Sequence, residues 1–286
     1  MRILGISRSV RFSPNSIARD ERIFMSVASL LNEEGYDVTC ISEDDLPLSN
    51  QEDYTLVFCM ARAAKSLHIL EGLEKQGATI INSPRGIKNC ARRSITEHLE
   101  KSSVPHPKSW IIKSKVESFS STLDFWQYPC WLKRGDGCAQ YAQDVCWVNT
   151  KSEMKELLHL YDLRHIDEAV VSEHLEGDLV KFYGVAGTPF FYFYYPTEKT
   201  PSSYSKFGLE SKNGSPQKYP FDAVLLKRTC DEFANKINVV VYGGDCIVDS
   251  KGFFRIIDFN DWPSFSPCVN SASEAIKERI VHSKHF

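Results

Sequence analysis

Between residues 2 and 81 the chain alternates short apolar runs with amphipathic stretches, and this alternation restricts the fold more than any other feature of the sequence. Residues 2–7 (RILGIS), 38–41, 56–59 and 78–81 read as strands. Ile23, Val27, Leu30 and Leu31 stripe a helix that stops at Gly35, and Leu67, Leu70 and Leu73 stripe a second that ends near Gly77. A helix between two strands carries the chain back to its starting edge, which implies a parallel sheet with helices on its faces. The segment holds neither of the familiar Gly-rich phosphate loops. Residues 9–15 (SVRFSPN) follow the first strand, where open α/β sheets bind ligands; a solvated connector fits them equally well.

From Asn82 the texture changes. Asn-Ser-Pro breaks the pattern, residues 87–99 form a basic helical stretch, and Val-Pro-His-Pro follows as a linker, so the first domain is expected to span residues 1–82. Strands are then predicted at 109–112, 130–133, 145–148 and 169–173, with a helix at 152–160. A third portion runs through 180–186, an aromatic strand at 190–195, a polar insert at 197–220, a helix at 223–237 and a closing hairpin at 246–260. The 286 residues, 42% hydrophobic with a formal net charge of −3, have an ordinary globular composition that excludes a disordered, fibrous or nucleic-acid-coating chain. No apolar run approaches the roughly 20 residues that span a bilayer, and MRILGIS is too short for a signal peptide. A cytoplasmic protein without membrane or nucleic-acid partners is expected. Nine cysteines, an odd number with no CxxC pair, read as reduced thiols rather than disulfides or zinc ligands.

The densest chemistry lies in GGDCIVDSKGFFRIIDFNDWPSF, residues 243–265. Asp249-Ser250-Lys251-Gly252 reads as a turn, and pairing Asp249 with Gly252 places Asp245 opposite Ile256. Ile256, Asp258 and Asn260 then share a face with Asp245, and Asp258 is its diagonal neighbour at roughly 7–8 Å. Two carboxylates and an amide oxygen are hard ligands suited to Mg²⁺ or Mn²⁺ rather than zinc; a strand end capped by Asp258 and Asn260 fits the spacing as well. Lys133 closes an apolar strand (PCWLK) beside Arg-Gly-Asp-Gly, as a phosphate clamp or a solvated strand end. Lys181 lies inside LVKFYGV, where a charge needs a partner or an opening. Arg92 and Arg93 fall on the basic helix, whose default reading is a solvated face.

Taken in order, INSPRGIKNCARRSITEHL with VPHP, YPCWLKRGDG, VVSEHLEGDLVKFYGVAG and the 243–265 segment resemble the ATP-grasp superfamily over nearly the whole chain. The Asp-Phe-Asn core is similar to that of the inositol polyphosphate kinases of this superfamily. Its Asn-x-x-Pro extension is similar to the ribosomal-protein glutamate ligases and other carboxylate–amine ligases.

The resemblance implies an α/β chain, α+β in its grasp part: an open parallel-sheet domain (1–82), a central subdomain (83–170) and a C-terminal subdomain with a magnesium site (171–286). It implies ATP between the last two, with Lys133 on the phosphates under the RGDGCAQ turn. Arg92 stands where relatives carry lysine. Residues 172–175, including Glu173, His174 and Leu175, would read the adenine edge, and Asp178 the ribose. Lys181 would reach the terminal phosphate or the acceptor, and Asp245, Asp258 and Asn260 would hold Mg²⁺ or Mn²⁺. The expected activity is ATP-dependent ligation of a carboxylate to an amine through an acyl phosphate; a kinase acting on a hydroxyl of a small molecule and a non-catalytic nucleotide-binding module are the alternatives. Ser264, Ser266 and Arg255 lie near the metal strand as acceptor candidates, with Arg255 on its opposite face in this register. Tyr204, Lys206, Lys212 and Lys218 make the insert a lid or a surface loop. The acceptor's identity and a homo-oligomeric state stay open.

Overall fold

The computed structural model describes residues 2–49, 53–115, 126–137, 139–196 and 209–283. Cys138 in the glycine turn and residues 197–208 of the insert, with Tyr204 and Lys206, lie outside the described residues.

The opening alternation folds as its periods dictate. Strands β1 (Arg2–Ser7), β2 (Asp37–Ser42), β3 (Leu56–Cys59) and β4 (Thr79–Ile81) form a parallel sheet in the order β2-β1-β3-β4. Helices α1 (Ile17–Glu33) and α2 (Ala64–Lys75) make the return connections. Successive residues of a strand face opposite ways. Ile3, Leu56 and Phe58 therefore pack with Phe24 and Val27 of α1, whereas Leu4, Ile6 and Val57 pack with Leu67 and Leu70 of α2.

The basic stretch departs from expectation. It forms two helices, α3 (Pro84–Asn89) and α4 (Arg92–Glu100), because Ala91 adopts an extended conformation (φ −61°, ψ 140°) that ends one helix and caps the next. Arg92 thus starts a helix instead of lying along the side of one.

Two antiparallel sheets follow. One contains β5 (Ser109–Lys113), β6 (Cys130–Arg134), β7 (Val145–Val148) and β8 (Glu168–Glu173) in the order β5-β8-β6-β7, covered on one face by α5 (Lys151–Leu163). Cys130, Leu132, Val148, Ala169 and Val171 face Met154, Leu158 and Tyr161 of that helix. The other contains β9 (Asp178–Val185), β10 (Phe191–Tyr194), β11 (Val241–Val248) and β12 (Phe254–Asp261) in the order β10-β9-β11-β12, with α6 (Ala223–Lys236) on one face. Val180, Phe182, Cys246, Ile256 and Phe259 meet Leu226, Cys230 and Phe233 there.

The chain ends in α7 (Val269–His282), absent from the sequence expectations, and it returns to the first sheet. Ala272, Ile276 and Ile280 share a core with Val27 and Leu31 of α1 and with Val185 and Val241. The hydroxyls of Ser26 and Ser273 meet at 2.8 Å. A second tie is Asn82, fully buried just after β4. Its Oδ1 accepts from the Val240 and Val241 amides at 2.8 Å, and its Nδ2 donates to the Val241 carbonyl at 2.7 Å. Both the oxygen and the nitrogen of the buried amide head thus have backbone partners, as burial requires. The described cysteines are all free thiols. No helix among the described residues is long and apolar enough to cross a membrane.

Candidate active site

Because α5 and α6 each cover one face of a sheet, the residues of opposite parity are left pointing into the space between the sheets. Trp131 and Lys133 on β6, Leu179, Lys181 and Tyr183 on β9, and Asp245 and Ile247 on β11 all line a cavity of about 320 Å³. At one end, residues 173–175 pass beside an apolar slot of Leu175, Leu179, Ile247 and Ile257. Trp131 Nε1 donates to His174 Nδ1 at 3.3 Å, which leaves the proton of the neutral ring on Nε2. Burial lowers the pKa of His174, reinforcing the neutral form.

The hairpin that carries the acidic residues closes differently from expectation. Its turn has three residues, with Asp249 N donating to the Phe253 carbonyl at 3.0 Å and Gly252 in the left-handed region (φ +81°), where a side chain would be strained. Cys246 therefore pairs with Ile256. A bulge then intervenes, and Asp245 pairs directly with Asp258 instead of lying diagonal to it. The turn and the bulge each shift the pairing by one residue, so Asp258 and Asn260 still emerge on the face of Asp245, whereas Ile256 turns into the core beneath. The corrected register also puts Arg255 opposite Ile247, on the cavity's side of the sheet but outside its lining. Gly244 permits the close approach here, since a Cβ would fall 2.2 Å from the Asp258 carbonyl oxygen.

Cations occupy the carboxylates. Arg92 at the start of α4 donates to both oxygens of Asp258, at 2.7 and 3.2 Å, and Lys181 Nζ reaches both oxygens of Asp245 at 3.2 Å. Glu210, from the insert, stands 3.6 Å from the same ammonium. Lys133 Nζ donates to the Ile257 carbonyl at 3.3 Å, bridging the two sheets. Burial and the neighbouring Arg92 lower the Lys133 ammonium to about 8, against the pull of Asp258 and Asp245. Burial alone would raise Asp258, but Arg92 and Lys133 outweigh it and hold the carboxyl at about 2. Burial likewise opposes the charge on Lys181, yet Asp245 and Glu210 keep it above its ordinary range. Asp245 itself is raised by burial, with the repulsion of Asp258 adding to it.

Beyond Asn260 the cavity continues onto the N-terminal sheet, where Arg8, Ser13, Ser16, Asp20 and Arg62 line it opposite Trp262 and Ser264. Arg8 pairs with Asp20 at 3.0 Å and donates to the Met60 and Trp262 carbonyls, while Arg62 pairs with Asp261 at 2.8 Å. Glu43, almost wholly buried, sets the loops that carry both arginines by accepting from the amides of Ser9, Arg62 and Ala63. The Trp262 indole N–H is buried and has no acceptor among the described residues.

No protein-family model and no curated protein matches the sequence, but solved structures do. The RimK domain ATP-grasp protein of Sphaerobacter thermophilus superimposes with a TM-score of 0.67 at 13% identity, covering 98% of this chain and 100% of the other. A D-alanine–D-alanine ligase from Bacillus anthracis, complexed with ATP, gives 0.67 at 14% identity, over 99% and 98% of the two chains. D-alanyl-alanine synthetase A from Vibrio cholerae gives 0.72 at 9% identity with the same coverage. The chain has an ATP-grasp fold.

Within this ATP-grasp fold Arg92, Lys133, Glu173, His174, Leu175, Lys181, Asp245, Asp258 and Asn260 all line the one cavity. Asp178 does not. It is buried beneath the returning insert, where its carboxylate accepts from the amides of Gln217 and Tyr219 at 2.6 and 2.8 Å, so its role is to anchor that segment. The Glu173 side chain accepts from the Lys108 amide at 2.9 Å, bracing the 173–175 segment. Arg93 faces away from the cavity, paired with Glu97 and Glu168. Of the insert, Leu209, Glu210 and Asn213 line the cavity, while Lys212 stands over the Trp147 ring at 5.5 Å. Arg8, Asp20, Arg62 and Glu210 were not singled out from sequence; their only signal was the proximity of Arg8 to the loop at 9–15 and the polar character of the insert.

The donor chemistry of Asp245, Asp258 and Asn260 fits a hard divalent cation. Among the described residues no group of three or more His, Cys, Asp or Glu side chains converges as a metal site. These three side chains would supply only part of an octahedral shell, as suits Mg²⁺, which keeps waters and takes substrate phosphates as ligands.

Proposed function

We propose that this protein is an ATP-dependent ligase that joins a carboxylate to an amine. The observation that carries the reading is the continuity of the cavity: an apolar slot, a row of cations facing two carboxylates, and an arginine-lined chamber follow one another without a barrier. That order is the order of a purine, a triphosphate and an acceptor. The names of the similar structures, which include D-alanine–D-alanine ligase and a RimK domain protein, support a ligase over a kinase. The domain division is part of the proposal, with 1–82 and 171–286 enclosing the acceptor and 83–170 closing over the nucleotide.

In this reading the base lies in the slot of Leu175, Leu179, Ile247 and Ile257, its edge read by the backbone of residues 173–175. Lys133, Lys181 and Arg92 hold the phosphates, and their fixed charge stabilises the transferring phosphoryl group. Asp245, Asp258 and Asn260 would hold Mg²⁺ or Mn²⁺, which supplies charge neutralisation at the outer phosphates. The acceptor carboxylate, oriented by Ser264 and the Trp262 N–H, attacks the γ-phosphorus and ADP departs. The amine then attacks the acyl carbon, inorganic phosphate leaves, and the ammonium proton passes to solvent. The chamber is balanced rather than cationic, since Asp20 and Asp261 each neutralise an arginine. This favours a small acceptor bearing one carboxylate over a polyanion.

Incubation with ATP, magnesium and pooled metabolites, followed by mass spectrometry, tests the reading. The expected product has the mass of two metabolites less water, with ADP and phosphate released together. Transfer of a phosphoryl group to a hydroxyl compound, with no condensation, overturns ligation in favour of a kinase.

A further inference from the structure

The pairing of cations with the candidate metal ligands has a consequence for what the site can bind. Arg92 covers both oxygens of Asp258, and Lys181 covers both oxygens of Asp245. The two carboxylates face each other across adjacent strands, directly paired. With Glu210 beside Lys181 and Lys133 beside the Ile257 carbonyl, Arg92, Lys133 and Lys181 balance Asp245, Asp258 and Glu210. The side chains are mostly shielded from solvent: Arg92 is 11% and Asp258 21% exposed, Lys181 18% and Asp245 25%.

A charge added to such a site meets little solvent screening. A divalent cation alone would have to displace Arg92 from Asp258 and Lys181 from Asp245, and would add its charge beside three cations already in place. A triphosphate alone would add negative charge beside two carboxylates. Together they exchange partners: the phosphates take Arg92, Lys133 and Lys181, and the metal takes the carboxylates.

We propose, building on the nucleotide-site reading above, that Arg92 and Lys181 guard the metal ligands, so that this protein takes a divalent cation only together with a nucleoside triphosphate. The guards are specificity-determining residues: they make the metal–nucleotide complex, not the bare ion, the ligand of the site. Linkage then requires that the metal and the nucleotide raise each other's affinity by the same factor.

Mn²⁺ titration of the full-length chain, followed by the electron paramagnetic resonance signal of unbound Mn²⁺, measures this directly, with and without the β,γ-imido analogue of ATP. The expected result is uptake of Mn²⁺ at least about a hundredfold tighter with the analogue than without it, a coupling at the strong end of those known. Arg92→Gln releases Asp258 and should strengthen analogue-free Mn²⁺ binding at least about tenfold, and so shrink the coupling; Lys181→Gln should act in the same way through Asp245, which keeps the test available if one variant fails to fold. Equal Mn²⁺ affinity with and without the analogue, while the analogue itself binds, overturns the guard role and leaves the nucleotide site standing. So does a failure of both folded variants to gain analogue-free Mn²⁺ binding. No binding of the analogue under any condition overturns both readings.

Discussion

The middle of the cavity and its N-terminal end are both built from cations facing carboxylates, and they are held in different ways. Where the strands pair, Arg92 reaches Asp258 from the start of α4, and Lys181 meets Asp245 from the adjacent strand with Glu210 beside it; the two carboxylates are 21% and 25% exposed. At the N-terminal end, the Arg8 and Asp20 side chains are each only 8% exposed, and Arg8 is also tied to the Met60 and Trp262 carbonyls. Asp20 in turn accepts from the Ser13 hydroxyl at 2.7 Å. The first kind of pair opens onto the cavity and can be traded there for another charged partner. The second is part of the wall. Similar residue types thus serve as exchangeable ligands in the middle and as scaffold at the N-terminal end.

The contrast breaks if the exchangeable carboxylates prove dispensable. Asp258→Asn should lower ATP turnover by about a thousandfold, the scale of several kcal/mol expected for a metal ligand, while leaving metal-free nucleotide binding measurable by calorimetry. Unchanged turnover would remove Asp258 from the chemistry. A smaller effect, of a different kind, is expected at the N-terminal end. Arg8→Met leaves Asp20 buried without its cation and should cost about 3 kcal/mol of unfolding free energy, read from urea denaturation; a loss of activity with unchanged stability would make Arg8 an exchangeable ligand after all.

The finest distinction is in pH. In the proposed function Lys133 would bind phosphate as the ammonium, and its pKa near 8 means that this form is lost as pH rises through 8. The kcat/KM for ATP reports the free enzyme and should fall on an alkaline limb centred near pH 8, up to about tenfold per unit beyond it. The limb should vanish in Lys133→Arg, whose guanidinium stays charged. Stability of the empty protein runs the other way, increasing between pH 8 and the ordinary lysine value of 10.5, where only the unfolded chain keeps the proton.

What could be read from sequence follows the range of the interactions involved. The parallel sheet was legible because strand and helix periods are local, and Ile3 and Leu4 part to opposite cores as the period requires. Helix α7 carried a usable spacing at Val269, Ala272, Ile276 and Ile280, but its alanines and serines blur the contrast between its faces. The common face of Asp245, Asp258 and Asn260 was anticipated through a register wrong at two points, whose one-residue shifts add to two and so restore the parity; Ile256 shows the error that remained. Asp178 was misread because its true partners, the Gln217 and Tyr219 amides, lie some forty residues further on. The Arg92 pairing with Asp258 spans 166 positions, and no local pattern announces it.

Asn82 gives the assembly its mechanical character. One buried amide head fastens the end of the first sheet to the root of β11, the strand that carries Asp245, and the α1–α7 core lies alongside it. The first and last thirds of the chain are thereby welded into a single block, with the arginine-lined chamber set in the weld. The middle portion is joined to that block by an apolar seam, where Ile95, Leu99 and Val104 share a core with Phe233, Ile237 and Ile256, and by polar contacts such as Lys133 to the Ile257 carbonyl and Ile256 to the Pro105 carbonyl. The sheet β5-β8-β6-β7, whose core with α5 is its own, is therefore the part of the molecule least bound into that block.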